Sequence, residues 1–133
     1  MKEQYMRFGP FIKAKRLADP RELTQKDVAD QLGISLTLLS DIEKGRRNPF
    51  NAEKIEAFCK YLGLTEDDRS RMYDLAARET GGVPSDIDET LMYTDIGDMA
   101  RRALRLSNAG VIEEEDWREF IRQIEEKKRG KTD

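Results

Sequence analysis

The chain has 133 residues, 38% of them hydrophobic and 38% charged, a length that holds one compact core with an appendage and excludes two large domains. One cysteine, Cys59, and no histidine exclude an intrachain disulfide, the usual Cys/His zinc site and the Ser-His and Cys-His nucleophile pairs, so neither a metal nor catalysis is expected. The formal net charge of −3 runs against the basic footprint of polyanion binding, but it is unevenly shared: residues 1–79 carry 15 Lys/Arg against 14 Asp/Glu, and residues 80–133 carry 9 against 13.

No apolar run approaches the roughly 18 residues a membrane span needs. The opening stretch MKEQYMRFGP has no apolar signal region, so a cytoplasmic location is expected. Residues 6–18, MRFGPFIKAKRLA, predict a first helix with Phe8, Phe11, Ile12 and Leu17 on one side and Lys13, Lys15 and Arg16 among them. Pro10 suits its first turn, where a missing N–H costs nothing, and Asp19-Pro20 closes it. Lys13 and Lys15 read equally as a solvated face or as phosphate contacts.

Thr24 is a good N-cap, with Asp27 three residues on as its acidic partner. A second helix over 25–32 then buries Val28, Ala29 and Leu32. Gly33 supplies the left-handed backbone that stops a helix and turns the chain. Ile34 plugs that turn and Ser35 caps a third helix, which buries Leu39 and Ile42 and ends at Lys44-Gly45. Its other positions, Leu36, Thr37, Ser40 and Asp41, share an outer face by their spacing of one, four and five residues. Two short helices about a glycine turn, apolar where they cross and polar outside, make the pattern of a helix-turn-helix that reads a major groove.

TQxxVAxxLGIS followed by LSxIEKGRRNP resembles the phage-repressor type of helix-turn-helix, the Cro/cI or XRE family. Val28, Leu32, Ile34, Leu39, Ile42, the small Ala29 at the crossing and the turn residue Gly33 stand where that family has them. The resemblance covers about 7–79 and implies an all-α fold, a five-helix lambda-repressor-like domain. It implies that Gln25 anchors the DNA backbone and that Leu36, Thr37, Ser40 and Asp41 read bases, with backbone support from Ser35. Lys44, Arg46, Arg47 and Asn48 would grip phosphate, and Arg16 would pair with Glu43.

Two features depart from the family. The connection between Arg16 and Gln25 is a couple of residues longer than in well-known repressors, and position 41, often basic or amide there, is Asp41 here. Asp41 either accepts from a cytosine amino group or is neutralised by Lys44 or Arg46. Leu36 and Leu38 read as thymine-methyl contacts, as packing or as contacts to a partner. The face carries no Arg, Asn or Gln for bidentate pairing, so phosphate contacts and DNA shape are expected to supply much of the affinity.

After Pro49-Phe50, Asn51 caps a fourth helix in which Ile55, Phe58, Cys59 and Leu62 follow helical spacing and which ends at Gly63. Cys59 reads as a core residue. Thr65 with Asp68 caps a fifth, whose Met72, Leu75 and Ala76 close the core, and Gly81-Gly82 ends the domain. The expected division is 1–80, the helix-turn-helix domain, and 81–133, a small C-terminal helical extension. In the extension Ile87 and Leu91 lie one turn apart. Ile96, Met99, Ala100, Ala103 and Leu104 form a helical stripe up to about Ser107. The last helix, about 113–128, carries Trp117, Phe120, Ile121 and Ile124, with Glu113, Glu114 and Glu115 at its start and Lys127, Lys128 and Arg129 at its end, as a helix dipole favours.

The expectation is a sequence-specific transcriptional regulator, a repressor, that binds double-stranded DNA as a homodimer. The C-terminal stripes either fold back on the domain core or meet the same helices of a second subunit; in the second case Trp117, Phe120, Ile121 and Ile124 would form the dimer contact, because two half-sites require two-fold symmetry. No cofactor or small-molecule ligand is indicated. The alternative is an antitoxin or protein-interaction adaptor of the same fold that works through its C-terminal helices.

Overall fold

The computed structural model describes residues 6–132. Among them the only regular elements are eight helices: α1 (Phe8–Ala18), α2 (Gln25–Leu32), α3 (Leu36–Glu43), α4 (Ala52–Leu62), α5 (Glu66–Thr80), α6 (Asp88–Tyr93), α7 (Asp95–Asn108) and α8 (Glu114–Thr132). The fold is therefore all-α. Among the described residues no helix is long and apolar enough to cross a membrane. Contacts divide the chain into two units, one ending at Asp88 and the other beginning at Glu89.

In the first unit α1 packs on α3 and α5, α2 packs on α3 and α4, and α4 packs on α5. Phe8, Ile12, Val28, Leu39, Ile55, Phe58 and Met72 are fully enclosed at the centre. Phe50 anchors the loop before α4 by meeting the Phe8 ring edge-on at 5.3 Å and the Phe58 ring at 5.7 Å, geometries that suit aromatic quadrupoles. Cys59 is buried against the Met72 sulfur, and desolvation pushes its thiol up to about 11; it is a packing residue.

Caps set the helix limits. Thr24 and Asp27 form a reciprocal capping box on α2, while Asn51 and Thr65 each accept from the third residue of the helix they start, which satisfies amide donors that have no partner within the helix. Gly33 closes α2 in the left-handed region at φ +70, and Ile34 N–H reaches back to Ala29 O at 3.0 Å.

Three features of this unit escape a reading by periodicity. Leu17 is 64% exposed, because at 100° per residue it lies opposite Phe8 and Arg16 takes the inward place. Gly9 is buried: a Cβ there would stand 2.4 Å from Ile42 O and 2.5 Å from Glu43 O, so α1 crosses the end of α3 backbone to backbone. The long connection between α1 and α2 closes with Glu22 in the left-handed region at φ 57. It is tied down by Arg21, which donates to both Asp19 oxygens and to Tyr61 O and stacks 4.7 Å from the Tyr61 ring; the Arg21 hydrogen bonds lower the Asp19 pKa to about 2.

In the second unit, Thr94 caps α7 by accepting from Gly97 N–H at 3.0 Å. A Cβ on Gly97 would meet Thr90 O at 2.2 Å, so α6 and α7 also approach backbone to backbone. Gly110, at φ +83, turns the chain between α7 and α8, and the Trp117 indole N–H donates to Ser107 Oγ at 2.8 Å across that turn. Of the described residues from Glu89 on, Gly97 alone is buried.

Candidate nucleic-acid interface

The geometry of α2 and α3 rests on one buried polar cluster. Arg16 of α1 donates to both carboxylate oxygens of Glu43, at 2.9 and 3.0 Å, and its remaining terminal nitrogen donates to Leu23 O at 3.1 Å. The two side chains are only 9% and 2% exposed. The longer connection thus leaves the Arg16–Glu43 pair intact and sends a backbone carbonyl to the guanidinium. Hydrogen bonding to Glu43 holds the Arg16 pKa above its ordinary value, against burial. Gln25, first residue of α2, donates to Glu43 Oε1 at 2.9 Å, so one carboxylate fixes the end of α3, the start of α2 and the last turn of α1.

One amide N–H and the carbonyl oxygen of Gln25 remain for another partner. Lys54 ties α4 to the same unit by donating to Leu32 O at 2.7 Å, at the C-terminal end of α2.

The face of α3 away from the core presents Leu36 and Thr37, both exposed, with Ser40 and Asp41 half-buried beside them. Leu38 packs on the core and Leu36 is 49% exposed, so of the two leucines only Leu36 is free to touch a partner. Ser35 Oγ accepts from Leu38 N–H at 3.0 Å as the N-cap. Among the described residues neither Lys44 nor Arg46 forms an ion pair with Asp41; the link to Arg46 is through the backbone, Arg46 N–H to Asp41 O at 2.8 Å.

Lys44, Arg46 and Arg47 follow at once, all exposed and, among the described residues, free of ion pairs. Gly45 shapes this turn at φ +77, and its bare Cα leaves room for the Arg7 guanidinium, which lies 3.3 Å from where a Cβ would stand. Arg7 is held there by Glu79 at 2.7 Å. It is a fourth cation beside the loop that the sequence does not reveal, because its position depends on Glu79, 72 residues away. Lys15, an open question in the sequence, is committed to Asp68 at 3.0 Å and to the Phe11 ring; Lys13 is exposed.

The assembly is an outward helix face with little bidentate donor capacity, flanked by a small cluster of cations and held rigidly from behind. It suits a polyanion gripped through its backbone and read lightly through its groove. Residues 12–72 match the family model described as a helix-turn-helix domain. No curated protein and no solved structure matches the chain.

Proposed function

Residues 12–72 being a helix-turn-helix domain, we propose that the chain is a sequence-specific regulator of transcription, a repressor acting in the cytoplasm, that lays α3 in the major groove of double-stranded DNA. The observation that carries this reading is the contrast in how the charges are used. Arg16 and Glu43 are spent inside, fixing α2 against α3, whereas Lys44, Arg46 and Arg47, next to the exposed face of α3, form no ion pair among the described residues. Gln25, Ser35, Lys44, Arg46 and Arg47 hold the phosphates, with Arg7 adding charge, and Leu36, Thr37, Ser40 and Asp41 meet the bases. Leu36 has the apolar surface for a thymine methyl, and Asp41, an acceptor only, suits a cytosine amino group.

Such readers bind two half-sites about 34–36 Å apart, so the protein acts as a homodimer, with Trp117, Phe120, Ile121 and Ile124 of α8 in the contact. The test is binding to promoter DNA over a series of salt concentrations, with Arg46→Ala and Arg47→Ala combined. Removing two phosphate contacts should weaken binding to every sequence alike and lower the salt slope by about 2. No binding at low salt would refute the reading. That outcome would favour the adaptor or antitoxin reading, which draws support from the acidic excess after residue 79 and the exposed apolar face of the second unit.

A further inference from the structure

Among its described residues the second unit has a groove and no buried hydrophobic side chain. Ile96, Met99, Ala100, Ala103 and Leu104 of α7 face Trp117 and Phe120 of α8 across an open space of about 630 Å³. Ile96 is 65% exposed, Met99 60%, Leu104 50%, Phe120 53%, Ile121 50% and Ile124 45%. At on the order of 150 Å² per large side chain, these stripes leave about 500 Å² of apolar surface, over half of the roughly 800 Å² per partner of a stable interface. No described residue of the unit covers it.

The pattern of α8 bears on what would fill it. Glu113, the residue before α8, and Trp117, Phe120, Ile124, Lys127 and Lys131 of α8 recur at alternating steps of four and three, the seam of a two-helix packing. That seam is acidic at its start, apolar in its middle and basic at its end. Laid parallel on a copy of itself, it sets acid against acid and base against base. Laid antiparallel with Phe120 opposite the partner's Ile124, it brings Glu113 opposite Lys131 and Trp117 opposite Lys127, twice by symmetry.

In the same register the flanking Glu114 meets Lys128, and Ile121 meets its own counterpart beside the two-fold axis. The fit uses all four apolar residues of α8. It also uses Lys127, Lys128 and Lys131, which among the described residues form no ion pair. We infer that the groove is filled by α8 of a second copy of this chain, running antiparallel in this register, with α7 of each copy closing over the other's α8. This rests on the homodimer reading above and gives it an orientation and a register.

Sedimentation of the full chain tests it. Glu113→Lys with Glu114→Lys sets a basic residue against Lys131 and against Lys128, and Lys128→Glu with Lys131→Glu sets an acidic one against Glu114 and against Glu113. Each double variant alone should self-associate about tenfold or more weakly than wild type at low salt, and an equimolar mixture of the two should recover wild-type affinity, which a simple loss of helix would not allow. Ile121→Cys should oxidise to a covalent dimer, Cys59 being buried, while Glu114→Cys should not. Dimers indifferent to the charge reversals, or linked through Glu114→Cys and not Ile121→Cys, overturn the packing alone. A chain that binds DNA but stays monomeric overturns the homodimer reading with it.

Discussion

Replacing Arg16 with Ala tests the element on which the geometry of the first unit depends. The change strips both guanidinium bonds from the Glu43 carboxylate, whose side chain is 2% exposed, and leaves it with the single N–H of Gln25; it also orphans Leu23 O. Removing one partner of a buried ion pair costs about 3–5 kcal/mol, since the other charge stays behind in a poor solvent. For a unit of this size about 4–8 °C is lost per kcal/mol, so the melting temperature should fall by about 12 °C or more. Far-UV circular dichroism is the assay, because Trp117, the only tryptophan, lies in the other unit. Replacing both partners, Arg16→Met with Glu43→Leu, should recover most of the loss, as apolar replacements of buried pairs commonly do. A cost under about 1 kcal/mol for Arg16→Ala, the scale of an exposed pair, would refute the reasoning.

Gly9→Ala should cost about 1–3 kcal/mol by overpacking, since its Cβ would press on the Ile42 and Glu43 carbonyls; DNA affinity should fall too as the end of α3 moves, and a neutral result in both urea melts and binding would show that α1 can shift freely. Glu22→Gly should raise stability by up to about 1 kcal/mol, because Glu22 holds a positive φ that glycine adopts without strain; a lower urea midpoint would contradict this. Burial and the hydrogen bond to Glu56 push Tyr73 up to about 12. This group holds its proton more tightly when folded, so its contribution is complete below the ordinary pKa near 10 and is lost as pH rises through about 12. An absorbance titration at 295 nm should show a last phenol near pH 12 that Tyr73→Phe removes, and unchanged curves would refute the assignment.

Local signals carried most of the first unit's outline. Thr24 with Asp27, Ser35, Asn51 and Thr65 start their helices where a side-chain oxygen can satisfy free amide donors, and Gly33 and Gly63 end theirs in the left-handed region. These are interactions within four or five residues, so they can be read from one stretch at a time. The outer face of α3 was legible for the same reason: helical spacing alone separates Thr37 from Leu39. Leu38 was not decided that way, since its place between core and surface depends on which neighbours reach it, and it packs on the core.

Residue order along the chain thus dictates which segments are helical, where they start and stop, and which side of each is apolar. How those sides meet is a property of the folded molecule. Folding put Gly9 against α3, committed Lys15 to Asp68, seated Arg7 over Gly45, joined Gln25 to the Arg16–Glu43 pair, and left the apolar stripes of α7 and α8 open. The physical reason is range. Caps, turns and periodicity act through neighbours along the chain, whereas a close backbone approach, a shared carboxylate or an uncovered groove depends on residues tens of positions apart, whose meeting no local pattern encodes.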